Sequence, residues 1–201
     1  MPKIAPAHNR DFGKSLSMQQ RLREYNHHRQ VKGRQPLQIG IGINTGEVTL
    51  GVVGSSERMD TTVLGDAVNL ASRMESLTKH YGCALLISGA TKQALPDKHS
   101  LFLRLVDVVQ VKGRNTPSEI YEVFNQDEPA LRKKKQQYIP LFQQAFTAYQ
   151  AGLWSDAQRL FEVYQHQFSE DSLANVFIKR CELFLKIPPT SWNGVFRIEN
   201  K

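Results

Sequence analysis

Two side chains suited to binding an anionic group stand four residues apart, Asn69 and Arg73, in the stretch TTVLGDAVNLASRMES of residues 61–76. Residues at this spacing project together from one face of an α-helix. A guanidinium stays charged and offers several donors in one plane, which matches the oxygens of a carboxylate or a phosphate. Taken alone, the pair is better explained as a solvated polar face, with Asp66 as the helix cap and Arg73 paired to a nearby carboxylate.

The helix that carries this pair is predicted from about Ala67 to Lys79, after a strand-like segment and a glycine. Its core-facing stripe recurs with helical spacing at Leu70, Ala71, Met74 and Leu77. The Asn–Arg pair lies off this stripe, so the helix would bury one face and present the pair on another.

A glycine-rich hairpin is predicted just upstream, with strands at residues 37–43 and 48–54, a turn at 44–47 and a polar loop at 55–60. The glycines Gly40, Gly42 and Gly46 suggest a dinucleotide fingerprint, but their spacing is G-x-G-x-x-x-G and a strand pattern follows them. The simpler interpretation is that they let two backbones approach or bend.

The remaining pattern alternates helices and strands before it becomes helical throughout. Predicted elements are a helix at residues 12–30, a buried strand at 82–88, a short helix at 89–95, strands at 101–111 and 118–124, and helices over 138–185. The basic run LRKKKQQ at 131–137 is interpreted as a solvated linker.

The composition is that of a soluble globular protein of 201 residues, with 40% hydrophobic and 22% charged residues. No apolar run approaches the roughly 20 residues that span a bilayer, so a cytoplasmic protein without a membrane segment is predicted. Cys83 and Cys181 show no metal spacing and are expected to be buried and reduced. The formal charge of +7 favours an anionic partner, such as a nucleotide or an acidic protein surface, and does not by itself indicate nucleic acid.

Three motifs together resemble the second half of a class III nucleotidyl cyclase domain, the catalytic domain of adenylate and guanylate cyclases. They are IGINTGEV at residues 41–48, GDAVNLASR at 65–73 and VKG at 111–113, and the resemblance covers about residues 16–124. It is closest to bacterial adenylate cyclases. The region AFTAYQAGLWSDAQRLF at 145–161 resembles one tetratricopeptide-type helical hairpin.

The resemblance implies conversion of ATP to 3′,5′-cyclic AMP and pyrophosphate, with Mg or Mn ions as cofactors. On it, Asn69 orients the ribose, Arg73 steadies the transition-state phosphoryl group and Lys112 contacts the terminal phosphates. Thr62 falls at the purine-reading position, which favours ATP over GTP.

The chain departs from the family at the metal site. The two metal-binding aspartates, expected in an F-x-D-I-x-G-F-T strand motif and a following G-D hairpin, have no counterparts in the sequence, and neither has the upstream purine-reading lysine. No residue of this chain is therefore predicted as a metal ligand. Because family domains form head-to-tail dimers that share their sites, the chain would hold one half of a site and act as a homodimer or with a complementing cyclase subunit.

The expected fold is α+β: a partial ferredoxin-like cyclase domain that lacks its first strands, at residues 1–126, then a basic linker at 127–137 and a helical tetratricopeptide-like extension and tail at 138–201. The expected function is an adenylate cyclase fragment with the transition-state half-site, inactive alone. The alternative is a degenerate, non-catalytic cyclase homology module with a regulatory or protein-interaction role.

Overall fold

The computed structural model describes residues 9–55, 58–111 and 116–198. Its helices are α1 (Asn9–Val31), α2 (Asp66–Tyr81), α3 (Gly89–Gln93), α4 (Pro129–Gln150), α5 (Trp154–Gln167) and α6 (Leu173–Lys186). Its strands are β1 (Ile41–Ile43), β2 (Thr49–Ser55), β3 (Arg58–Leu64), β4 (Leu85–Ser88), β5 (Leu103–Val111), β6 (Ser118–Val123) and β7 (Phe196–Ile198). The predicted α+β class is confirmed.

Five strands form one mixed sheet in the order β1-β4-β6-β5-β7. The outer pairs β1–β4 and β5–β7 are parallel, while β4–β6 and β6–β5 are antiparallel. The strands β2 and β3 form a separate two-stranded antiparallel ribbon. Among the described helices, none combines the length and the apolar character that a bilayer crossing requires.

The predicted hairpin between residues 37–43 and 48–54 is wrong. The strand β1 pairs with β4, in the register Ile41↔Leu85, and β2 pairs instead with β3, in the register Thr49↔Leu64. The predicted polar loop at 55–60 is correspondingly shorter, because β2 extends through Ser55 and β3 begins at Arg58. The chain leaves the sheet at Asn44, whose side chain is held by hydrogen bonds to other elements, so it cannot fold straight back on β1.

Glycines within and after β1 form the surface on which α2 lies. A Cβ placed on Gly42 would overlap backbone atoms of Ala71 and Glu75, and one on Gly46 would lie 2.8 Å from the Cβ of Ala67. The contacted residues Ala67, Ala71 and Glu75 lie on successive turns of α2. The helix therefore runs along the glycine-containing segment with the two backbones in contact. The interpretation of these glycines as sites of close backbone approach is confirmed.

The sheet has a hydrophobic layer on each face. On one face α1 packs through Phe12 against Leu85, Ile87, Tyr121 and Val123. The other face contributes Leu86, Val106, Val109 and Ile120 to a larger cluster that also contains the buried stripe of α2 and the aromatic core of α4–α6. The C-terminal helices therefore pack on the sheet and share a core with it.

The basic run at 131–137 lies within α4, which corrects its interpretation as a solvated linker. Lys135 is buried, and its Nζ lies 2.7 Å from carboxylate oxygens of both Glu122 and Asp127. One lysine of the run thus faces the sheet while its neighbours face solvent, as helical spacing requires. Three helices, α4, α5 and α6, follow one another in this region. The resemblance of residues 145–161 to a tetratricopeptide-type hairpin and the predicted domain boundaries stay predictions.

A buried ionic cluster joins the sheet to the C-terminal helices. Arg104 on β5 donates hydrogen bonds to Glu122 on β6 and to Asp171, which precedes α6, and all three side chains are buried. Tyr164 of α5 also donates to Asp171, at 2.6 Å. Burial tends to raise the pKa of the Asp171 carboxyl, but the hydrogen bond and the positive charge of Arg104, together with the hydrogen bond from Tyr164, outweigh it and lower the pKa below the ordinary value. Asp171 is therefore held ionised beside Arg104.

The glycine contact predicts that Gly42→Ala destabilises the protein by about 2 kcal/mol or more, because the added methyl group has backbone on the facing side and cannot be accommodated by a rotamer change. The matched control is Gly51→Ala on β2, where the added Cβ meets Leu64 Cδ1 at an ordinary 3.8 Å. The free energies of unfolding are measured in urea. Equal losses in both variants would contradict the close approach of α2.

The buried cluster predicts that Arg104→Met lowers the free energy of unfolding by about 3–5 kcal/mol, because Glu122 and Asp171 lose their shared counter-charge without access to water. The control is Arg159→Met, which removes an ion pair with Asp156 whose side chains are 74% and 60% exposed. That change is expected to cost at most about 1 kcal/mol. Similar losses for the two variants in urea unfolding would show that the cluster is solvated.

Candidate functional site

The helix α2 begins at Asp66, directly after Gly65, which has a φ of 148° and occupies the cap position. The backbone amides of Val68 and Asn69 donate to the Gly65 carbonyl. The prediction that Asp66 caps the helix is therefore wrong. As the first helical residue it instead places a negative charge in the first turn, where the helix dipole favours one.

The predicted geometry of the Asn–Arg pair is confirmed on α2. The apolar stripe of the helix is buried, with Leu70, Met74 and Leu77 in the core. Asn69 is exposed and Arg73 is half-buried, one turn further along. Both residues therefore lie off the buried stripe, one helical turn apart, as the i,i+4 spacing predicts.

Thr62 lies on a different element from the pair. It is half-buried on β3, opposite Gly51 of β2, and Gly65 separates its strand from α2. The structure brings Asn69 and Arg73 together on one helix and places Thr62 on the strand that leads into that helix. Lys112 lies outside the described residues, directly after the last residue of β5, so its role stays a prediction.

The ribbon that carries Thr62 exposes several apolar side chains. Leu50 is 71% and Val52 is 64% exposed, and Val63 and Leu64 on the partner strand are also exposed. A two-stranded ribbon with this much uncovered apolar surface is typical of a protein–protein contact. The ribbon adjoins the start of α2, so such a contact would lie beside the candidate site.

Asn44 is a positioning residue that the sequence reasoning missed. Its Nδ2 donates to the carbonyl of Ala67 at 3.1 Å, and its Oδ1 accepts from the Ser88 hydroxyl at 2.7 Å. One amide thereby ties the first turn of α2 to the end of β4. Asparagine is a common residue in turns such as N-T-G, so the sequence carries no separate signal for this second role.

The described carboxylates do not fit the metal site that the resemblance implies. Residues 9–55, 58–111 and 116–198 contain no group of three or more His, Cys, Asp or Glu side chains placed to hold a metal ion. Asp107, on the buried face of β5, accepts from Tyr81 and Arg180, and Asp171 accepts from Arg104 and Tyr164. These oxygens are engaged in the core.

Curated relatives of the chain are adenylate cyclases over part of their length. An adenylate cyclase of Anabaena cylindrica is 45% identical over 114 residues, which are 54% of this chain and 23% of that protein. A terminal-differentiation specific adenylate cyclase of Dictyostelium discoideum is 37% identical over 146 residues, 72% of this chain and 7% of that protein. The chain thus spans less than a quarter of the length of either relative.

Solved structures of cyclases also match. The guanylyl cyclase Cya2 is 40% identical with a TM-score of 0.46, covering 57% of this chain and 56% of that one. The adenylyl cyclase CyaB from P. aeruginosa is 34% identical with a TM-score of 0.46, covering 54% of each chain. The family described as Adenylate and Guanylate cyclase catalytic domain matches residues 3–125, more than half of the chain. The chain therefore belongs to the adenylate and guanylate cyclase catalytic domain family.

Proposed function

We propose that this chain supplies the ribose- and phosphoryl-binding half of an adenylate cyclase active site. In the reaction, the 3′-oxygen of ATP forms a bond to the α-phosphorus while the bond from that phosphorus to the bridging oxygen breaks and pyrophosphate leaves. The observation that carries the proposal is the placement of Asn69 and Arg73 one helical turn apart on α2, off its buried stripe, in a chain that belongs to the cyclase family.

Each residue has a distinct part in the proposed site. Arg73 donates to the oxygens of the α-phosphoryl group, where negative charge grows as the 3′-oxygen attacks, so the interaction is stronger in the transition state than in the bound substrate. Asn69 orients the ribose that carries the attacking oxygen. Lys112 holds the terminal phosphates, and Thr62 reads the adenine through a hydrogen bond that a guanine edge does not match.

The other half of the site comes from a partner cyclase domain in a dimer, as either a second copy or a complementing subunit. Residues of that partner domain would hold the Mg or Mn ions that this family uses, and the ions would supply activation of the attacking oxygen and positive charge to hold the triphosphate. The described residues contain no group placed to hold a metal ion, and Asp107 and Asp171 are engaged in the core, which supports a division of labour between two domains. The exposed apolar ribbon beside α2 supports a partner on that side.

A second candidate function is a non-catalytic cyclase homology module that regulates or binds another protein. The specific observation in its favour is the lack of a metal-binding cluster among the described residues. It differs from the first proposal in what it requires of Arg73. A regulatory module tolerates the loss of this guanidinium, whereas a half-site does not.

The proposed half-site predicts complementation. The chain is mixed with a homologous cyclase domain whose own Asn and Arg counterparts are replaced by Ala, and cyclic AMP formed from Mn-ATP is measured. The mixture is expected to be active, and Arg73→Ala in this chain to lower its rate about a hundredfold or more, because one transition-state donor is lost. The exposed Arg159→Ala is the matched control and should leave the rate unchanged.

The same assay covers the chain alone, which is expected to make no cyclic AMP above background. Cyclic AMP from the purified chain would overturn the division of the site between two domains. A mixture in which the two proteins bind each other, yet no activity returns, would favour the regulatory module.

The position of Thr62 predicts that the complemented site prefers ATP to GTP by kcat/KM, and that Thr62→Val lowers kcat/KM for ATP by roughly tenfold or more, because the purine loses a hydrogen-bonding partner. Thr49→Val, at an exposed position on the same ribbon, is the control and should have no effect. A preference for GTP in the unaltered chain would contradict the assignment.

A further inference from the structure

We infer that Arg180, on the last helix of the C-terminal region, is a positioning residue for the half-site, because one guanidinium joins the end of α2 to β5. The inference rests on the proposed function for its catalytic consequence. It also assigns the C-terminal helices a role in positioning the site, whereas the sequence suggested a separate interaction module.

The contacts of Arg180 connect three parts of the fold. Its Nη1 donates to Asp107 Oδ2 of β5 at 2.6 Å, and its Nη2 donates to the Tyr81 hydroxyl of α2 at 3.3 Å. The Tyr81 hydroxyl itself donates to the same Asp107 oxygen at 2.6 Å. Arg180, Asp107 and Tyr81 are 5%, 1% and 1% exposed, so the triangle is shielded from water.

Arg180 contacts the helix that carries two of the proposed site residues, Asn69 and Arg73. Tyr81 ends α2, and Arg73 lies eight residues earlier on this helix, about 12 Å along its axis. A change at the triangle therefore reaches the guanidinium of Arg73 through one rigid helix.

A bulge in β5 makes this connection possible. The pairing with β6 shifts register between Leu105 and Asp107, so Val106 and Asp107 lie side by side along the strand and both are buried. The extra residue directs the carboxylate of Asp107 to the face that α2 and α6 cover. Without the shift, regular alternation would place Val106 and Asp107 on opposite faces.

The Arg180 side chain is held in one orientation. Its guanidinium carbon lies 3.7 Å from the ring centroid of Phe196 on β7 and 5.1 Å from that of Phe177 on α6. The attraction of Asp107, with further contributions from Tyr81 and Tyr149, outweighs the opposing effect of burial and raises the pKa of Arg180 above its ordinary value. A buried pair of this kind contributes little net stability compared with an apolar replacement, but it fixes geometry.

A lysine in place of Arg180 keeps the charge but cannot contact Asp107 and Tyr81 in the same planar arrangement. In the full chain, Arg180→Lys is therefore expected to raise hydrogen-exchange rates of α2 amides about tenfold or more, while those of α4 and α5 stay within about twofold. The control Arg159→Lys alters only an exposed pair on α5 and should change none of them.

Tyr81→Phe is a second variant, which decides the matter if Arg180→Lys does not fold. It removes a single hydroxyl from the triangle and is expected to raise exchange in α2 alone, by a smaller factor. Unchanged exchange in α2, or an equal rise in every helix, would overturn the inference, because the first shows no coupling and the second shows a purely global loss of stability.

The catalytic consequence is measured in the complementation mixture. Tyr81→Phe in this chain should lower kcat while the KM for ATP stays within about twofold, because a displaced Arg73 affects the transition state more than substrate binding. A rise in KM alone would overturn the positioning role. If the unaltered chain restores no activity, the proposed function fails, and the exchange experiment still decides whether Arg180 positions α2.

Discussion

The closeness of α2 to β1 is the constraint on which the rest of the structure depends. Two backbones meet where a side chain would ordinarily separate them, and glycine is the residue that allows it at Gly42. Once the helix lies at that distance, its stripe of Leu70, Met74 and Leu77 reaches the sheet, and the neighbouring face turns outward with Asn69 and Arg73. The position of the candidate site is therefore set by the absence of a side chain on the strand beneath it.

The C-terminal helices depend on a second constraint, the burial of charge. The strands β5 and β6 carry Arg104, Asp107 and Glu122 on the face that packs against α2 and α4–α6. Charged groups there are tolerated only with partners, and each partner outside the sheet comes from the C-terminal half of the chain or from α2. The sheet and the helices are thus matched to each other by charge as well as by shape, and neither surface would be satisfied by water alone.

Local sequence patterns were enough to predict the helices and strands, but they did not predict which strands pair with each other. The stripe of α2 gave bounds within about two residues, because apolar spacing and a flanking glycine are both local signals. The partner of β1 is β4, whose paired residues lie 44 positions further along the chain, and the turn between residues 44 and 47 offered a nearer but wrong candidate. Lys135 stands in a run of solvated cations and carries no local mark of its contact with Glu122. Whether one residue of a charged run is buried depends on the element that packs against it. The sequence of the run does not identify that element.

The pairing of β5 with β7 has a consequence for how the chain acquires its structure. Val109 pairs with Phe196, and every helix of the C-terminal region lies between these two residues. During synthesis that edge of the sheet stays open until residues 196–198 have left the ribosome, and the ring of Phe196 reaches Arg180 only at that point. Closing so long a loop is slow compared with forming the helices inside it. The edge of β5 is therefore the place where a chaperone or a second chain would bind the nascent protein before β7 pairs with it.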